Sequence, residues 1–367
     1  MKIGILTSLR KKCGIGIYSS EFIKHLKMMK KINTKLDIFV ITQKDADINI
    51  NGVKVYRLID ENEPFYFTKC DKILKRENPD IIDIEWDHRL YSPLIFLGQY
   101  IFPLIHKYSD KILMSFHSLY KREDVEKILK ESTSYLSSIL ATYYEMTKRF
   151  LIINSKKIRV FTYYELYQVA KYKKAILIPQ GIKKMPPLKK NNLSNRINLL
   201  IFGFIRDTKN YELAISSLLN LKKRCRLLIV GEPKSENIIK KIIRIIKFFK
   251  VKDRVTLIPR FVNERHKTEI FKKSHIILLP YKLISNSGVL LDSIKYCRPV
   301  VSTVLSEDIR ELKIGEYAFE DSLDFSQKIC RVIENYDKYY ESILDKRKNF
   351  FWPNIIKKIV NLYEEIS

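Results

Sequence analysis

Short apolar runs alternate with longer amphipathic stretches along this whole chain, and the alternation restarts after a single break. A strand that must lie parallel to its predecessor needs a crossover, usually a helix, so this alternation reads as βαβ units and a parallel sheet. In the first half the strand-like runs begin at Lys2, Leu36, Val53, Ile81, Ile112, Ile158 and Ala175. Helical patterns over 19–29 and 123–150 lie between them. The break is KKMPPLKKNNLSNR, residues 183–196, with paired prolines, three asparagines and no apolar period. It reads as a linker. Strand-like runs then resume at 198–202, 227–230, 255–258, 276–279 and 299–303. Residues 236–250 carry isoleucines at 238, 239, 242, 243 and 246, one buried helical stripe, with Ser235 placed to cap it. The same pattern would suit a helix lying on a membrane, but a doubly wound sheet needs such covering helices.

At 367 residues the chain exceeds one ordinary core. The expectation is α/β, two doubly wound Rossmann-like domains facing across a cleft. They would span 1–183 and 197–348, with 184–196 as linker. Ligands in such sheets bind beyond the carboxyl ends of the strands, so functional residues should follow the strands directly.

Sixty-eight Lys and Arg against 41 Asp and Glu leave a formal charge of +27, which attracts polyanions. Zinc-finger spacing, an aromatic RNA-binding box and a basic tail are all missing, so no specific nucleic-acid partner is expected. A nucleotide diphosphate and an anionic membrane surface remain. The five cysteines, at 13, 70, 225, 297 and 330, form no CxxC. They read as the free thiols of a reduced, cytoplasmic protein. The first residues, MKIGILTSLR, read as a buried strand and not a signal peptide. No apolar run is long enough to span a bilayer.

Four segments carry chemistry. CGIGIYSSEF, residues 13–22, sets Gly14 and Gly16 between a strand and a helix, where backbone N–H groups can approach an anion. His117, in ILMSFHSLY, directly follows an apolar strand and could bind a sugar hydroxyl. In FGFIRDTKN, Gly203 ends a strand, and Arg206 and Lys209 follow three residues apart, a spacing that suits a diphosphate. LLPYKLISNSGVLLDSIKYCRPVVST, residues 278–303, ends a strand in a polar loop that opens a helix at Gly288. The free N–H groups of that first turn favour a phosphate, and Asp292 lies one turn in. Asp45 and Asp47 form a DxD within a polar stretch, a weak candidate for a metal; no metal is expected. HExxH, GxxxxGK[ST] and GxSxG do not occur.

Taken in order, these segments resemble family 4 glycosyltransferases with the GT-B fold. PDIIDIEWDHRLYSP resembles the segment before the family's strand-end histidine, and FHSLY that histidine itself. LIPQGI resembles the turn that closes the first domain, and GFIRDTKNYELAI the Gly…Lys phosphate loop. LLIVGEP and RVTLIPRFV, with Arg260 and Phe261, resemble the strands that flank the base pocket. SGVLLDSIKYCRPVVST resembles the donor-binding helix. The terminal FFWPNIIKKIVNLYEEI, within 349–367, resembles the helix that crosses back to the first domain.

The resemblance implies retaining transfer from a nucleoside-diphosphate sugar as co-substrate, without cofactor or metal, to a glycan or lipid-linked acceptor. Lys209 and Arg206 would neutralise the leaving diphosphate, and His117 would contact the sugar. Gly14, Gly16, Gly203, Asn286, Ser287, Gly288 and Val289 would line the donor site, with Asp292 on the ribose hydroxyls. One departure stands out. The family carries two glutamates separated by seven residues around this helix. Asp292 matches the second, but the first falls on Ile284 or Ser285, with Asn286 the nearest stand-in. An inactive nucleotide-sugar-binding protein and a GT-B epimerase are the alternative readings.

The membrane expectation rests on SPLIFLGQYIFPLI, residues 92–105, uncharged and bracketed by Pro93 and Pro103. Basic residues at 107, 121, 122, 148, 149, 156, 157 and 159 follow it. Together they would make a cytoplasmic protein peripheral at the inner face of the cell membrane.

Overall fold

A computed structural model describes residues 1–30, 36–92, 99–130, 136–193 and 196–367. The chain divides into two units, Met1–Gly181 with Trp352–Ser367, and Ile182–Phe351.

In the first unit the strands are β1 (Lys2–Leu6), β2 (Asp37–Gln43), β3 (Lys54–Ile59), β4 (Ile81–Trp86), β5 (Ile112–Phe116), β6 (Lys157–Val160) and β7 (Ala175–Leu177). They form one parallel sheet in the order β3-β2-β1-β4-β5-β6-β7. The helices are α1 (Gly14–Lys30), α2 (Tyr66–Glu77), α3 (Phe102–Lys107), α4 (Arg122–Lys130), α5 (Ser137–Ile153) and α6 (Tyr163–Val169). Helices on both faces bury both sides of the central strands, which is why β1, β4 and β5 read as nearly continuous apolar runs.

The second unit repeats the plan. Its strands β8 (Ile197–Phe202), β9 (Cys225–Val230), β10 (Val255–Ile258), β11 (Ile276–Leu279), β12 (Val300–Ser302) and β13 (Gly315–Tyr317) lie in the order β10-β9-β8-β11-β12-β13. Its helices are α7 (Tyr211–Ser216), α8 (Glu236–Phe248), α9 (Glu264–Lys273), α10 (Gly288–Lys295), α11 (Ser306–Leu312), α12 (Ser322–Glu334) and α13 (Tyr336–Lys346). The last helix, α14 (Trp352–Ile366), belongs to the first unit, where Trp352, Ile355, Ile359 and Tyr363 join the core beside β1 and α1.

Several expectations need correction. The helix read over 123–150 is two helices, α4 and α5, packed through Val125, Leu129, Ala141 and Tyr144. Ser235 stands at the N-cap of α8, but its hydroxyl makes no capping bond. That helix buries Ile238, Ile242 and Ile246 against the core, so these three are not free for a bilayer, while Ile243 of the expected stripe is exposed. Much of segment 183–196 is tied down. Two buried guanidiniums need acceptors, and this strand-less stretch supplies its carbonyls. Arg347 donates to Met185 O at 3.0 Å and Arg298 to Lys189 O at 3.1 Å. In 92–105, residues 93–98 lie outside the described residues. Ile101, Leu104 and Ile105 are core, so the described part is a buried segment and not a membrane surface. Arg159 and Lys148 of the expected basic set are buried as well.

Candidate functional site

In the second unit three loops interlock beyond the carboxyl ends of the strands. Gly203 leaves β8 with φ +90°, a conformation that disfavours any side chain. The loop it opens bonds to the loop after β9, Ile205 N to Glu232 O at 2.9 Å and Lys234 N to Ile205 O at 3.0 Å. It also bonds to the segment after β11, Asn210 N to Pro280 O at 2.6 Å and Lys282 N to Thr208 O at 3.0 Å. Asn210 then caps α7 by accepting from Leu213 N at 3.1 Å.

This lattice fixes Lys209. Its ammonium donates to Phe202 O at 2.7 Å and lies 5.4 Å from the Tyr281 ring centroid. Burial pulls its pKa down to about 7, with Arg206 adding repulsion. A Cβ placed on Gly203 would stand 3.6 Å from Lys209 Nζ and 3.4 Å from Val289 Cγ2. Gly203, Lys209 and the first turn of α10 therefore meet at one point. Ser287 caps that helix, accepting from Leu290 N at 3.2 Å. Gly288 faces open space. A buried cation beside a capped helix start is a place for a phosphate oxygen.

Other expected residues stand further from this convergence or are engaged elsewhere. Arg206 is exposed and stacks 4.9 Å from the Phe204 ring, which Lys234 also covers at 3.8 Å. Arg260 and Phe261 are exposed after β10, and Asn286 is half-buried beside Ser287. Asp292 is ion-paired, its Oδ2 2.7 Å from Lys267 Nζ. Burial raises its pKa while Lys267 opposes the shift. Glu264 joins the cluster, 3.4 Å from Lys267 and 3.3 Å from Lys295. Sequence reasoning missed Lys267. Nothing in ERHKTEIF distinguishes it from the surface lysines around it.

The first unit holds a second constellation. His117 Nε2 donates to Glu85 Oε2 at 2.6 Å, and Gln180 Nε2 donates to His117 Nδ1 at 3.4 Å. The imidazole packs on Tyr18 and Phe161, with centroids at 5.0 and 4.7 Å. Beneath it Arg159 is fully buried, its Nη1 3.5 Å from Glu85 Oε1, and it donates to the Tyr18 hydroxyl. Asp83 completes the layer, accepting from Ser115 at 2.9 Å and from the Tyr363 hydroxyl at 2.6 Å. Burial, reinforced by the Glu85 charge, holds the Asp83 carboxyl well above the usual carboxylate range. His117, directly after β5, is thus held between Glu85 and Gln180 and is mostly covered. The signal for this network was in the sequence. Asp83 and Glu85 alternate within the otherwise apolar β4, with Asp87 directly after it, and a fully buried strand gives its two carboxylates no water.

Gly16 lies against the loop after β1, where a Cβ would stand 2.2 Å from Arg10 O. Gly14 meets nothing and is exposed at the start of α1. The two glycines therefore differ: the second is needed for close packing, the first leaves room. The DxD is engaged. Asp45 Oδ1 accepts from Arg10 at 2.7 Å, and Asp47 Oδ1 accepts from Lys11 N at 2.7 Å. These bonds shape a pocket of about 480 Å³ lined by Arg10, Lys44, Asp45, Asp60, Glu61 and Arg89 among others. Among the described residues no group of three or more His, Cys, Asp or Glu is arranged to hold a metal, and no helix is long and apolar enough to cross a membrane.

Residues 196–335, which contain the Gly203–Lys209 loop and α10, match the family model for glycosyl transferases group 1. The whole chain superimposes on solved two-domain structures. Sucrose-phosphate synthase from Thermosynechococcus elongatus aligns at TM-score 0.71 and 14% identity, covering 100% of this chain and 99% of that one. The lipopolysaccharide outer core galactosyltransferase WaaB in its apo form aligns at 0.70 and 15%, covering 98% of each. Over 196–335 the chain is thus similar to group 1 glycosyltransferases, and its fold is that of the GT-B structures. HepE of Anabaena, solved in complex with UDP, shares that fold at TM-score 0.68 and 11% identity, covering 100% of both chains. At such identities the likeness is one of fold. A curated relative, the 3-dehydroquinate dehydratase of Staphylococcus haemolyticus, is 26% identical over 131 residues, 34% of this chain. The chain spans 46% of that protein's length. The matched stretch lies within the unit in which Lys209 and the start of α10 converge.

Proposed function

We propose that this protein transfers a sugar from a nucleoside-diphosphate sugar, with retention and without a metal, to a glycan or lipid-linked acceptor. The observation that carries the reading is Lys209, a nearly buried ammonium set between the Gly203 turn and the first turn of α10. When the bond from the anomeric carbon to the β-phosphate breaks, the diphosphate leaves with added negative charge. A preorganised cation and free helix N–H groups meet that charge without reorganising, the task a divalent ion performs elsewhere. Arg206, on its exposed stack, would close over the phosphates from the solvent side. His117, its Nε2 engaged by Glu85 and its Nδ1 by Gln180, would exchange the Gln180 bond for one from a sugar hydroxyl. The donor-side reading of Gly14 and Gly16 rests on the open space at Gly14.

UDP is the first nucleotide to test, because a structural neighbour was solved with it. UDP-glucose, UDP-galactose and GDP-mannose should be incubated with the protein in EDTA, and free diphosphate measured. Slow release with at least one donor is expected. Binding without release from any of them would favour a second reading, a catalytically inactive nucleotide-sugar-binding protein. The specific observation behind that alternative is the missing acid: Ile284 and Ser285 stand where the family's first glutamate would be. Neither binding nor release would remove the transferase reading.

Asp292 belongs to the same proposal as the ribose ligand. A ribose diol would then compete with Lys267 for the carboxylate. Asp292→Asn should weaken the free nucleoside diphosphate by roughly tenfold, the loss of one charge-assisted hydrogen bond. Titration calorimetry with UDP checks this. Unchanged affinity would leave Asp292 as a purely structural partner of Lys267.

A further inference from the structure

None of the residues proposed to meet the donor lines the pocket around Arg10 in the first unit. Its volume of about 480 Å³ falls within the ~300–1,000 Å³ of small-molecule sites. It lies beyond the carboxyl ends of four adjacent strands, the place where doubly wound sheets hold ligands. Arg10 follows β1, Lys44 and Asp45 follow β2, Asp60 and Glu61 follow β3, and Arg89 follows β4.

The lining is built from pairs of opposite charge. Arg10 Nε donates to Asp45 Oδ1 at 2.7 Å, and Arg10 Nη1 stands 2.6 Å from Glu61 Oε1. Lys44 Nζ donates to Asp60 Oδ2 at 3.0 Å. Three cations, Arg10, Lys44 and Arg89, thus meet three carboxylates, Asp45, Asp60 and Glu61, in a chain whose formal charge is +27. Asp45 and Glu61 meet Arg10 through Oδ1 and Oε1, which leaves Oδ2 and Oε2 to accept from a ligand. Arg89 donates from Nε to Asp87 Oδ1 at 3.4 Å, which leaves both Nη groups to donate, and its side chain is 66% exposed.

A sugar hydroxyl both donates and accepts. A diol laid across the Arg10–Glu61 pair can give a proton to the second carboxylate oxygen and accept one from the guanidinium without parting the two. A phosphate dianion or a carboxylate has no proton to give. It would have to displace the acidic side chains from their cations or stand beside their charge. The balanced pairs therefore select against the polyanions that the basic surface attracts elsewhere.

We propose that this pocket binds a neutral saccharide, with Asp45 and Glu61 accepting from its hydroxyls and Arg10 and Arg89 donating to them. The inference rests on the sugar-transfer reading and names the acceptor's class within it, a glycan that presents an uncharged sugar to this sheet edge. The same edge carries His117 after β5, and Ser118 beside it donates at 2.8 Å to Asp87, the partner of Arg89. Asp45 of the DxD is then a hydroxyl acceptor and not a metal ligand.

Saturation-transfer NMR on the full chain takes maltose, lactose and cellobiose as neutral probes, with glucuronic acid and glucose 6-phosphate as anionic ones. At least one neutral disaccharide should bind wild type, roughly tenfold more tightly than either anion. The double variant Asp45→Asn, Glu61→Gln frees Arg10 from its carboxylates. It should weaken that disaccharide by roughly tenfold and tighten glucose 6-phosphate by a similar factor. The Arg10 side chain is 29% exposed, so breaking its pairs leaves the fold standing. Mere loss of shape would weaken both classes, and only a charge role reverses the preference. No response from any neutral probe, tighter binding of an anion by wild type, or a variant with an unreversed preference would overturn the proposal. UDP is titrated separately into wild type. UDP binding without a saccharide response rejects the pocket alone, whereas saccharide binding without UDP binding or diphosphate release supports the pocket and removes the transferase reading.

Discussion

Lys209→Ala should lower diphosphate release from a nucleotide sugar by about 10²–10³-fold while the protein stays folded. The side chain makes one bond, to Phe202 O, and is otherwise a cation held out of water. Removing it relieves a desolvation cost, so the fold should stand and the loss should be confined to the reaction. The pH behaviour supplies an independent test. The native pKa is about 7, against an ordinary lysine value of 10.5. Between these values the unfolded chain binds a proton that the native one has released, so this group makes the native state more stable as pH rises from about 7 toward 10.5. Lys209→Met should flatten that part of the urea-midpoint profile. An anionic diphosphate beside Lys209 would restore the proton. UDP binding above pH 7 should therefore take up protons, read as a difference between calorimetric enthalpies in two buffers. Turnover within a few-fold of wild type in Lys209→Ala, or no proton uptake, would take this lysine out of the mechanism.

Arg159→Leu should destabilise the protein by about 3–5 kcal/mol, because it strips a fully buried carboxylate of its guanidinium partner. Arg159 and Glu85 are both without solvent exposure, and Asp83 lies in the same layer. The guanidinium also fills the space between aromatic rings, 4.5 Å from the Phe161 centroid and 5.5 Å from that of Phe22. Urea unfolding of the variant measures the cost. The double variant Arg159→Leu, Glu85→Leu should recover part of it, since no lone charge remains. A single variant within about 1 kcal/mol of wild type would mean that the Arg159–Glu85 pair contributes little to stability, and the network would not be a charge cluster.

The two sheets were legible in the sequence because fully buried parallel strands write themselves as apolar runs. Every strand anticipated from those runs is present, and among the described residues only the short strand Gly315–Tyr317 was overlooked. The Gly203 loop and the Ser287–Gly288 helix start were legible too, since a left-handed turn and a helix cap each demand particular residue types. The sequence by itself therefore determined where backbone geometry would be special. It did not determine which side chains meet. The place of Lys209 after Gly203 was legible, but its burial comes only from the bonds to the Pro280 and Tyr281 segment. Asp292 and Lys267 come from separate helices, as Glu85, Arg159 and His117 come from separate strand ends. Nor did hydropathy tell a buried stripe from an exposed one. Ile101, Leu104 and Ile105 lie in the core, whereas the equally apolar Ile139, Met146 and Ile153 of α5 are exposed. Local pattern follows from the backbone of each segment, whereas partner, burial and pKa depend on what the rest of the chain brings against it, and only the tertiary structure decides that.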